Sequence, residues 1–177
     1  MKKILAFAGS TSSTSINKKL ATFAAENLVN TSFDVIDLRD FTMPIYSEDE
    51  EKNGFPEDAK RFSALFDEYD GFIVSLAEHN SSYTAAFKNI YDWTSRVHAN
   101  VFRDKPLLLM ATSPGTRGGI SVLDTGIARF SRMGAKELVS FSLPNFYDNF
   151  KDGKVINAEF SSTLKEKVNE FEQFINQ

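Results

Sequence analysis

The chain has no cysteine and only two histidines, His79 and His98. Disulfides, thiolate catalysis and cysteine-based metal sites are therefore excluded, and two histidines argue against a histidine-rich metal centre. Positive charge is in deficit. Twenty Lys and Arg against 24 Asp and Glu give a net charge of −4 and a pI near 5.3, so no electrostatic case for a nucleic-acid partner exists. Long apolar runs are missing too, and no stretch approaches the length of a membrane span. Lys2 and Lys3 followed by Ile4 to Ala8 mimic a signal peptide, but five apolar residues are fewer than such a segment needs, and a strand explains them better. The expectation is a soluble, cytoplasmic protein with neither membrane nor nucleic acid as partner.

Glycine-based signatures are equally sparse. No G-x-G-x-x-G follows the first apolar run, which weakens a dinucleotide reading, and no G-x-x-x-x-G-K-[ST] is present, which removes a P-loop NTPase. The absence of G-x-S-x-G excludes a hydrolase nucleophile elbow. No acidic residue ends the first run, which argues against a phospho-acceptor receiver domain.

What is present points to one folded domain. The 177 residues are 42% hydrophobic and include 17 Phe, enough to build a sizeable core and incompatible with disorder. Residues 71–76 and 107–112 are almost continuously apolar, as central parallel strands covered on both faces should be. Ile4 to Ala8 belongs with them. Residues 33–38 alternate as a strand nearer an edge would, and 137–142 form a weaker fifth strand. Helix-period segments lie between and after them, near 16–29, 57–68, 83–98, 118–133 and 160–176. Strands alternating with helices predict βαβ units, a parallel sheet and helices on both faces. Neither internal repeat nor low-complexity linker divides the chain.

Two connections exceed a compact turn. Residues 40–56 carry the acidic run Glu48 to Glu51, read as a solvated face or the edge of a mobile loop. Residues 143–158 carry Phe146, Tyr147 and Phe150, which suit a core edge, a subunit contact or a cofactor rim, and a turn signal at Lys151 to Lys154.

In an open α/β sheet, ligands bind beyond the carboxyl ends of the strands. The first strand stops at Gly9 and gives way to six consecutive hydroxyl residues, Ser10 to Ser15, before a helix begins. Such a loop can surround an anion with N–H and O–H donors, aided by the helix dipole. Having no cation of its own, it suits a phosphate monoester better than a triphosphate with Mg²⁺. The competing reading is a polar turn with several possible helix caps. Polar stretches also follow the third strand (Ala77 to Tyr83) and the fourth (Ser113 to Gly119), and all three would converge on one edge of the sheet.

Three stretches together resemble the NAD(P)H-dependent FMN reductase family, which includes quinone, azo-dye and chromate reductases. Gly9, Ser10, Ser15, Asn17 and Leu20 are similar to G-S-x-R-x-x-S-x-N-x-x-L. Glu78 to Ser82, followed by Phe87 to Trp93, resembles P-E-Y-N-x-S-x-x-x-x-x-K-N-x-x-D-W and is the most specific of the three. Ser113 with Arg117, Gly118 and Gly119 is similar to an S-x-G-x-x-G-G loop. The resemblance implies a flavodoxin-like three-layer sandwich, a single domain with a five-stranded parallel sheet of order 2-1-3-4-5. It implies FMN as cofactor, NAD(P)H as co-substrate and a small-molecule electron acceptor such as a quinone or flavin. It also implies a homodimer or tetramer, with Lys88, Asn89, Asp92 and Trp93 at the dimer interface.

Carried over residue by residue, the resemblance puts Ser10, Ser12, Ser15, Ile16 and Asn17 around the FMN phosphate. Glu78, His79, Asn80 and Ser81 would lie against the isoalloxazine and ribityl, largely through backbone groups. Ser113, Gly115, Thr116, Arg117 and Gly118 would close over the other side of the ring system. No side chain need act as a nucleophile, so no catalytic residue and no metal ligand is assigned. The family's loop Arg is Ser12 here, which removes a charge-assisted contact worth about 1.5–3 kcal/mol in favourable settings. Its Pro and Tyr are Ala77 and His79. Plainer roles stand beside these: Asn80 and Ser81 as caps of the next helix, Arg117 as a surface residue, His79 as a solvated side chain, His98 as a surface residue, and Lys88 to Trp93 as helix interior and surface. Two rivals to the reductase remain at this level, a flavodoxin-type electron carrier and a non-enzymatic member with weakened flavin binding.

Overall fold

The computed structural model describes residues 1–177. In chain order its elements are β1 (Lys3–Gly9), α1 (Ile16–Glu26), β2 (Ser32–Val35), α2 (Glu48–Glu51), α3 (Glu57–Glu68), β3 (Gly71–Leu76), β4 (Glu78–His79), β5 (Ser82–Tyr83) and α4 (Ala85–Val97). There follow β6 (Lys105–Thr112), α5 (Ile120–Phe130), β7 (Ala135–Leu143), α6 (Phe146–Asn149), β8 (Phe150–Lys151), β9 (Lys154–Val155) and α7 (Ala158–Ile175). Five strands form one sheet in the order β2-β1-β3-β6-β7, every pair parallel. Renumbered among themselves they run 2-1-3-4-5, the flavodoxin-like arrangement.

Alternation along β1 shows how the two layers of core arise. Leu5 and Phe7 point into one cluster with Phe62 and Phe66 of α3, Phe87 and Ile90 of α4, and Phe130 of α5. Ile4 and Ala6 point into the other, with Leu20 and Ala24 of α1 and Leu164, Val168 and Phe171 of α7. Apolar residues on both faces of the central strands are what a doubly covered parallel sheet requires. The abundant phenylalanines fill the first layer: Phe66 lies 4.7 Å from Phe72 and 5.6 Å from Phe102 between ring centroids. Each such ring, fully buried, contributes about 1.5–3 kcal/mol of transfer free energy. Burial also raises the pKa of the Tyr83 and Tyr91 phenols, whose buried hydroxyls have no hydrogen-bond partner.

Some element ends differ from the sequence reading. The second strand stops at Val35 rather than at position 38, because the Asp37 side chain accepts from the Arg39 amide and starts a 3₁₀ turn. The first helix ends at Glu26, and the strand around 137–142 extends to Ala135–Leu143. Residues 83–98 are not helical throughout: Tyr83 is in β5, and Thr84 caps α4 by accepting from the Phe87 amide. The capping role considered for Asn80 and Ser81 therefore belongs to Thr84. Those two residues form the turn of the β4–β5 hairpin with φ of +51° and +62°, a pair of positive φ angles that matches the twist of two-residue hairpins.

The long connection at 40–56 contains the one-turn α2, capped by Ser47. Glu48, Asp49 and Glu50 face solvent. Glu51 instead accepts from the Tyr46 hydroxyl at 2.8 Å and from Arg96 of α4 at 3.0 Å. Asn89 and Trp93 hold the same strap from α4, Trp93 donating from Nε1 to the Pro44 carbonyl at 2.8 Å. Trp93 is fully buried within the chain, while Lys88 and Asp92 pair with each other on the outer side. The turn signal at 151–154 is the β8–β9 hairpin, turning at Asp152 and Gly153.

Candidate functional site

The carboxyl ends of β1, β3 and β6 lie side by side, so the loops that follow them meet. Gly9 ends β1 where space is tight. A Cβ there would come within 3.2 Å of Leu76 and Phe87, and its carbonyl accepts from the Thr84 hydroxyl at 2.9 Å. The hydroxyl loop then folds on itself. The Ser12 amide donates to Ser10 Oγ at 3.1 Å, the Thr14 amide to Ser12 Oγ at 3.3 Å, and the Lys18 amide to Ser15 Oγ at 3.1 Å. Ser15 is thereby the cap of α1. Ser10 Oγ and Ser15 Oγ are used as acceptors, which leaves their protons available for a ligand, while Ser12 and Thr14 share one hydroxyl–hydroxyl contact at 3.4 Å. The amides of Ile16 and Asn17 lie in the first turn, where no intrahelical acceptor exists, and find no other in the chain.

Asn17 has a different position from the one the resemblance suggests. Its side chain is buried and points down into the sheet. Oδ1 accepts from Ser75 Oγ at 2.7 Å and from the Thr112 amide at 3.0 Å, while Nδ2 donates to the Thr112 carbonyl at 3.1 Å. It clamps the start of α1 to the ends of β3 and β6 and leaves only its backbone N–H facing the loop.

The cavity enclosed by these loops has a volume of about 230 Å³. Ser10, Ser12, Ser15, Ile16, Asn17, Glu78, His79 and Ser113 line it, as do Thr14, Ala77, Thr112, Pro114 and Tyr147. Asn80, Ser81, Gly115, Thr116 and Arg117 do not: they sit exposed on the two loops around it. Gly118 is buried behind the loop, where a Cβ would come within 2.4 Å of Ser142 Oγ and 2.9 Å of the Pro144 nitrogen. Arg117 donates to Ser121 of α5 at 3.1 Å.

Glu78 is the only carboxylate lining the cavity. Its Oε2 accepts from the Val122 amide at 3.0 Å. The cap position of α5 is Gly119, with φ of +76° and no side chain to offer, so Glu78 supplies the missing acceptor from another loop, with the favourable sign for a helix N-terminus. The two loops are thereby joined on one side. On the other, the Phe146 amide donates to the Ser113 carbonyl at 3.1 Å and the Asn145 amide to the Gly115 carbonyl at 2.9 Å, which brings Tyr147 to the rim. Phe146 and Phe150 are buried, whereas Tyr147 is 64% exposed.

Cations stand outside the cavity rather than in it. Lys18 pairs with Asp37 at 2.5 Å, and Arg39 reaches the same carboxylate at 2.9 Å. Arg39 first, then Lys18, holds the Asp37 carboxyl well below the usual carboxylate range, against the opposing effect of burial. Sequence reasoning did not single out Thr14 or Thr112 as lining residues, and it left Tyr147 open between a core edge, a subunit contact and a cofactor rim; Tyr147 is at the cavity rim. Thr14 sits inside the hydroxyl run and was detectable there; Tyr147 lies more than a hundred residues away, and only the 113–146 contact brings it in.

A hydroxyl-lined cavity at the β1–α1 turn of a 2-1-3-4-5 parallel sheet defines a flavodoxin-like α/β protein. Its family is more particular: a model described as NADPH-dependent FMN reductase matches residues 2–148, and the chain belongs to that family. An NAD(P)H-dependent FMN reductase of Pseudomonas aeruginosa is 33% identical over 117 residues, 66% of this chain and 62% of the relative. An NADPH:quinone oxidoreductase of Arabidopsis thaliana is 32% identical over 124 residues, 67% of this chain and 62% of the relative. The matches thus span about 62% of the length of these curated relatives. Among solved structures, the flavoenzyme NAD(P)H:acceptor oxidoreductase of Paracoccus denitrificans superposes with a TM-score of 0.78. That likeness covers 99% of this chain and 98% of the other at 24% identity, and it shows a shared fold.

Proposed function

We propose that the protein is an NAD(P)H-dependent FMN oxidoreductase that passes electrons to a quinone, a flavin or a similar small acceptor. The observation that carries this is the convergence of the Ser10–Ser15 loop, the Glu78 hairpin and the Ser113 loop on one cavity, in a chain whose family is defined by that activity. The names of the Pseudomonas and Arabidopsis relatives support both halves of the reaction.

The donor set fits a phosphate monoester. Hydroxyls of Ser10, Ser12 and Ser15 and the amides of Ile16 and Asn17 can all donate, and the helix dipole favours an anion there. The one lining carboxylate is tied to α5 through Oε2. The bound flavin would supply the redox chemistry, taking a hydride from the nicotinamide and handing electrons onward. The chain's own residues bind and orient. The cradle fixes the phosphate end, and the hairpin at 78–83 and the loop at 113–119 flank the ring end through backbone and small side chains. No nucleophilic or acid–base role is assigned to either flank, because the bound flavin would supply the redox chemistry for two substrates in turn.

The reading includes a homodimer or tetramer working in the cytoplasm, where NAD(P)H is supplied. The exposed Lys88 and half-buried Asp92 of α4 and the 83% exposed Ile45 on the strap that α4 holds support an interface there, and sedimentation velocity measures it. No helix is long and apolar enough to cross a membrane.

The test is anaerobic mixing of FMN-loaded protein with NADH or NADPH, read as loss of the oxidised flavin absorbance. Bleaching by either nucleotide, followed by reoxidation with a quinone, is expected. Flavin binding without bleaching would identify an electron carrier instead, and failure of FMN to bind would remove the reading altogether.

A further inference from the structure

The three loops around the cavity, 10–15, 77–84 and 113–119, carry a single Lys or Arg between them, and it is Arg117. Arg39, Arg61, Arg96 and Arg103 are each held by a carboxylate. Arg117 instead donates from Nη2 to the neutral Ser121 hydroxyl at 3.1 Å and forms no ion pair. A guanidinium offers several N–H donors in a planar fork, so most of them are left over, on an exposed side chain beside the cavity.

The backbone beneath this side chain is fixed. The Ile120 amide donates to the Arg117 carbonyl at 3.0 Å, and the Gly115 carbonyl accepts from the Gly118 amide at 3.3 Å and the Asn145 amide at 2.9 Å. Gly118 and Gly119 have φ of +58° and +76°, conformations that other residues rarely adopt. Arg117 is therefore presented from a rigid turn, with Ser121 one helical turn on to orient its fork. Such preorganisation lowers the cost of capturing a ligand.

We propose that Arg117 grips the pyrophosphate of the nicotinamide dinucleotide as it approaches the flavin. The inference rests on the proposed flavin site and adds the residue that recruits the electron donor. Among the molecules that reaction brings together, FMN has its phosphate provided for by the hydroxyl loop, and a neutral quinone has no anionic group to offer. The dinucleotide carries two adjacent phosphates, which suit a bidentate fork. It must also approach against charge: the chain carries −4, Glu78 lines the cavity, and the flavin phosphate is itself an anion. An unpaired cation at the rim reverses the field where the donor arrives, which speeds and orients its approach. Because the pyrophosphate is common to NADH and NADPH, Arg117 serves both alike.

The experiment compares the FMN-loaded natural chain with Arg117→Gln and Arg117→Lys. NAD⁺ and NADP⁺, which cannot reduce the flavin, are titrated calorimetrically, and the two half-reactions are then followed separately by stopped flow. Arg117 does not line the cavity. Arg117→Gln should thus weaken both dinucleotides about tenfold, the scale of one charge-assisted contact, and leave FMN affinity within about twofold. Arg117→Lys keeps the charge without the fork and should fall between the two. More NADH or NADPH should be needed for half-maximal bleaching in Arg117→Gln, with a similar limiting rate and unchanged reoxidation by a neutral quinone. Added salt should narrow the gap. Unchanged dinucleotide binding in Arg117→Gln, or a lysine variant as weak as the glutamine one, would overturn the inference and leave the flavin reading intact. A loss confined to NADP⁺ would give the arginine to the 2′-phosphate, and slowed reoxidation with unchanged binding would give it to the acceptor; either overturns the pyrophosphate contact. A natural chain that binds no FMN, or whose flavin neither nucleotide bleaches, would overturn the proposed function and this inference together.

Discussion

Glu78 Oε2 accepts a hydrogen bond from the Val122 amide at 3.0 Å, across 44 residues of sequence. A carboxylate that the sequence places beside a flavin ring is thus the surrogate cap of α5, whose own cap position is the glycine Gly119. The contact couples the loop after β3 to the loop after β6, two walls of the cavity.

Glu78→Ala should therefore cost about 1 kcal/mol of stability, the usual loss for an N-cap acceptor. Glu78→Gln keeps an acceptor but loses the charge–dipole attraction, and should cost a few tenths of that. Urea melts of the three proteins measure the order. Equal stability of all three would show that the contact contributes nothing.

Asn17 is the most heavily used buried polar side chain at the site, with three hydrogen bonds to Ser75 and Thr112. Asn17→Ala strands a serine hydroxyl and both backbone groups of Thr112 in the interior. The expected loss is about 2–4 kcal/mol, from the desolvation of unpaired buried groups. Thermal unfolding should show it as a drop of several degrees. FMN affinity should fall as well, because the start of α1 is no longer held to the sheet.

Ser12 is exposed on the rim of a hydroxyl-lined cavity whose lining holds no Lys or Arg. Ser12→Arg adds one and should tighten FMN binding by about tenfold or more, since a charge-assisted contact in a favourable setting is worth ~1.5 kcal/mol or more. The gain should shrink with added salt. Flavin titrations at two ionic strengths test both statements; weaker binding in the variant would mean that the phosphate lies elsewhere.

Asp37 gives the structure a defined response to acid. Its carboxyl is held low by Arg39 and Lys18, so the folded state binds a proton less readily than the unfolded chain. The resulting stability is fully present above the unfolded aspartate pKa, about 3.9, and is lost progressively as pH falls below it toward the folded value. Asp37→Asn removes that contribution. The variant should be about 1–2 kcal/mol less stable at pH 7, allowing for the exposure of both cationic partners. The gap should narrow in urea melts below pH 4. A gap that widens there would contradict the sign.

Legibility in the sequence followed the range of the interactions concerned. The parallel sheet was readable because residues 71–76 and 107–112 are apolar without alternation, and burial on both faces is a property of each strand alone. A helix cap somewhere in the hydroxyl loop was readable because such a bond is local, and the structure assigns it to Ser15, whose Oγ accepts from the Lys18 amide three residues on. The hairpin turn at Asn80 and Ser81 was not, since Tyr83 resembles a helix start and the choice went to Thr84 through a bond to Gly9, 75 residues earlier. The same holds for Trp93, whose indole N–H is used by Pro44.

By itself, then, the sequence determined the order of strands and helices, the hydroxyl loop at the β1–α1 turn and the family, all of which depend on local periodicity or on residues close together in the chain. Only the tertiary structure decided what the polar side chains do. Asn17 turned its side chain toward the sheet because Ser75 and Thr112 supply its partners there. Glu78 turned to α5 because a glycine cap left an amide unpaired. Tyr147 reached the rim because two backbone bonds drew residues 145 and 146 against the loop at 113–115. Each of these is a pairing demand of a buried or helix-end polar group, and such demands are met by whatever the fold brings near.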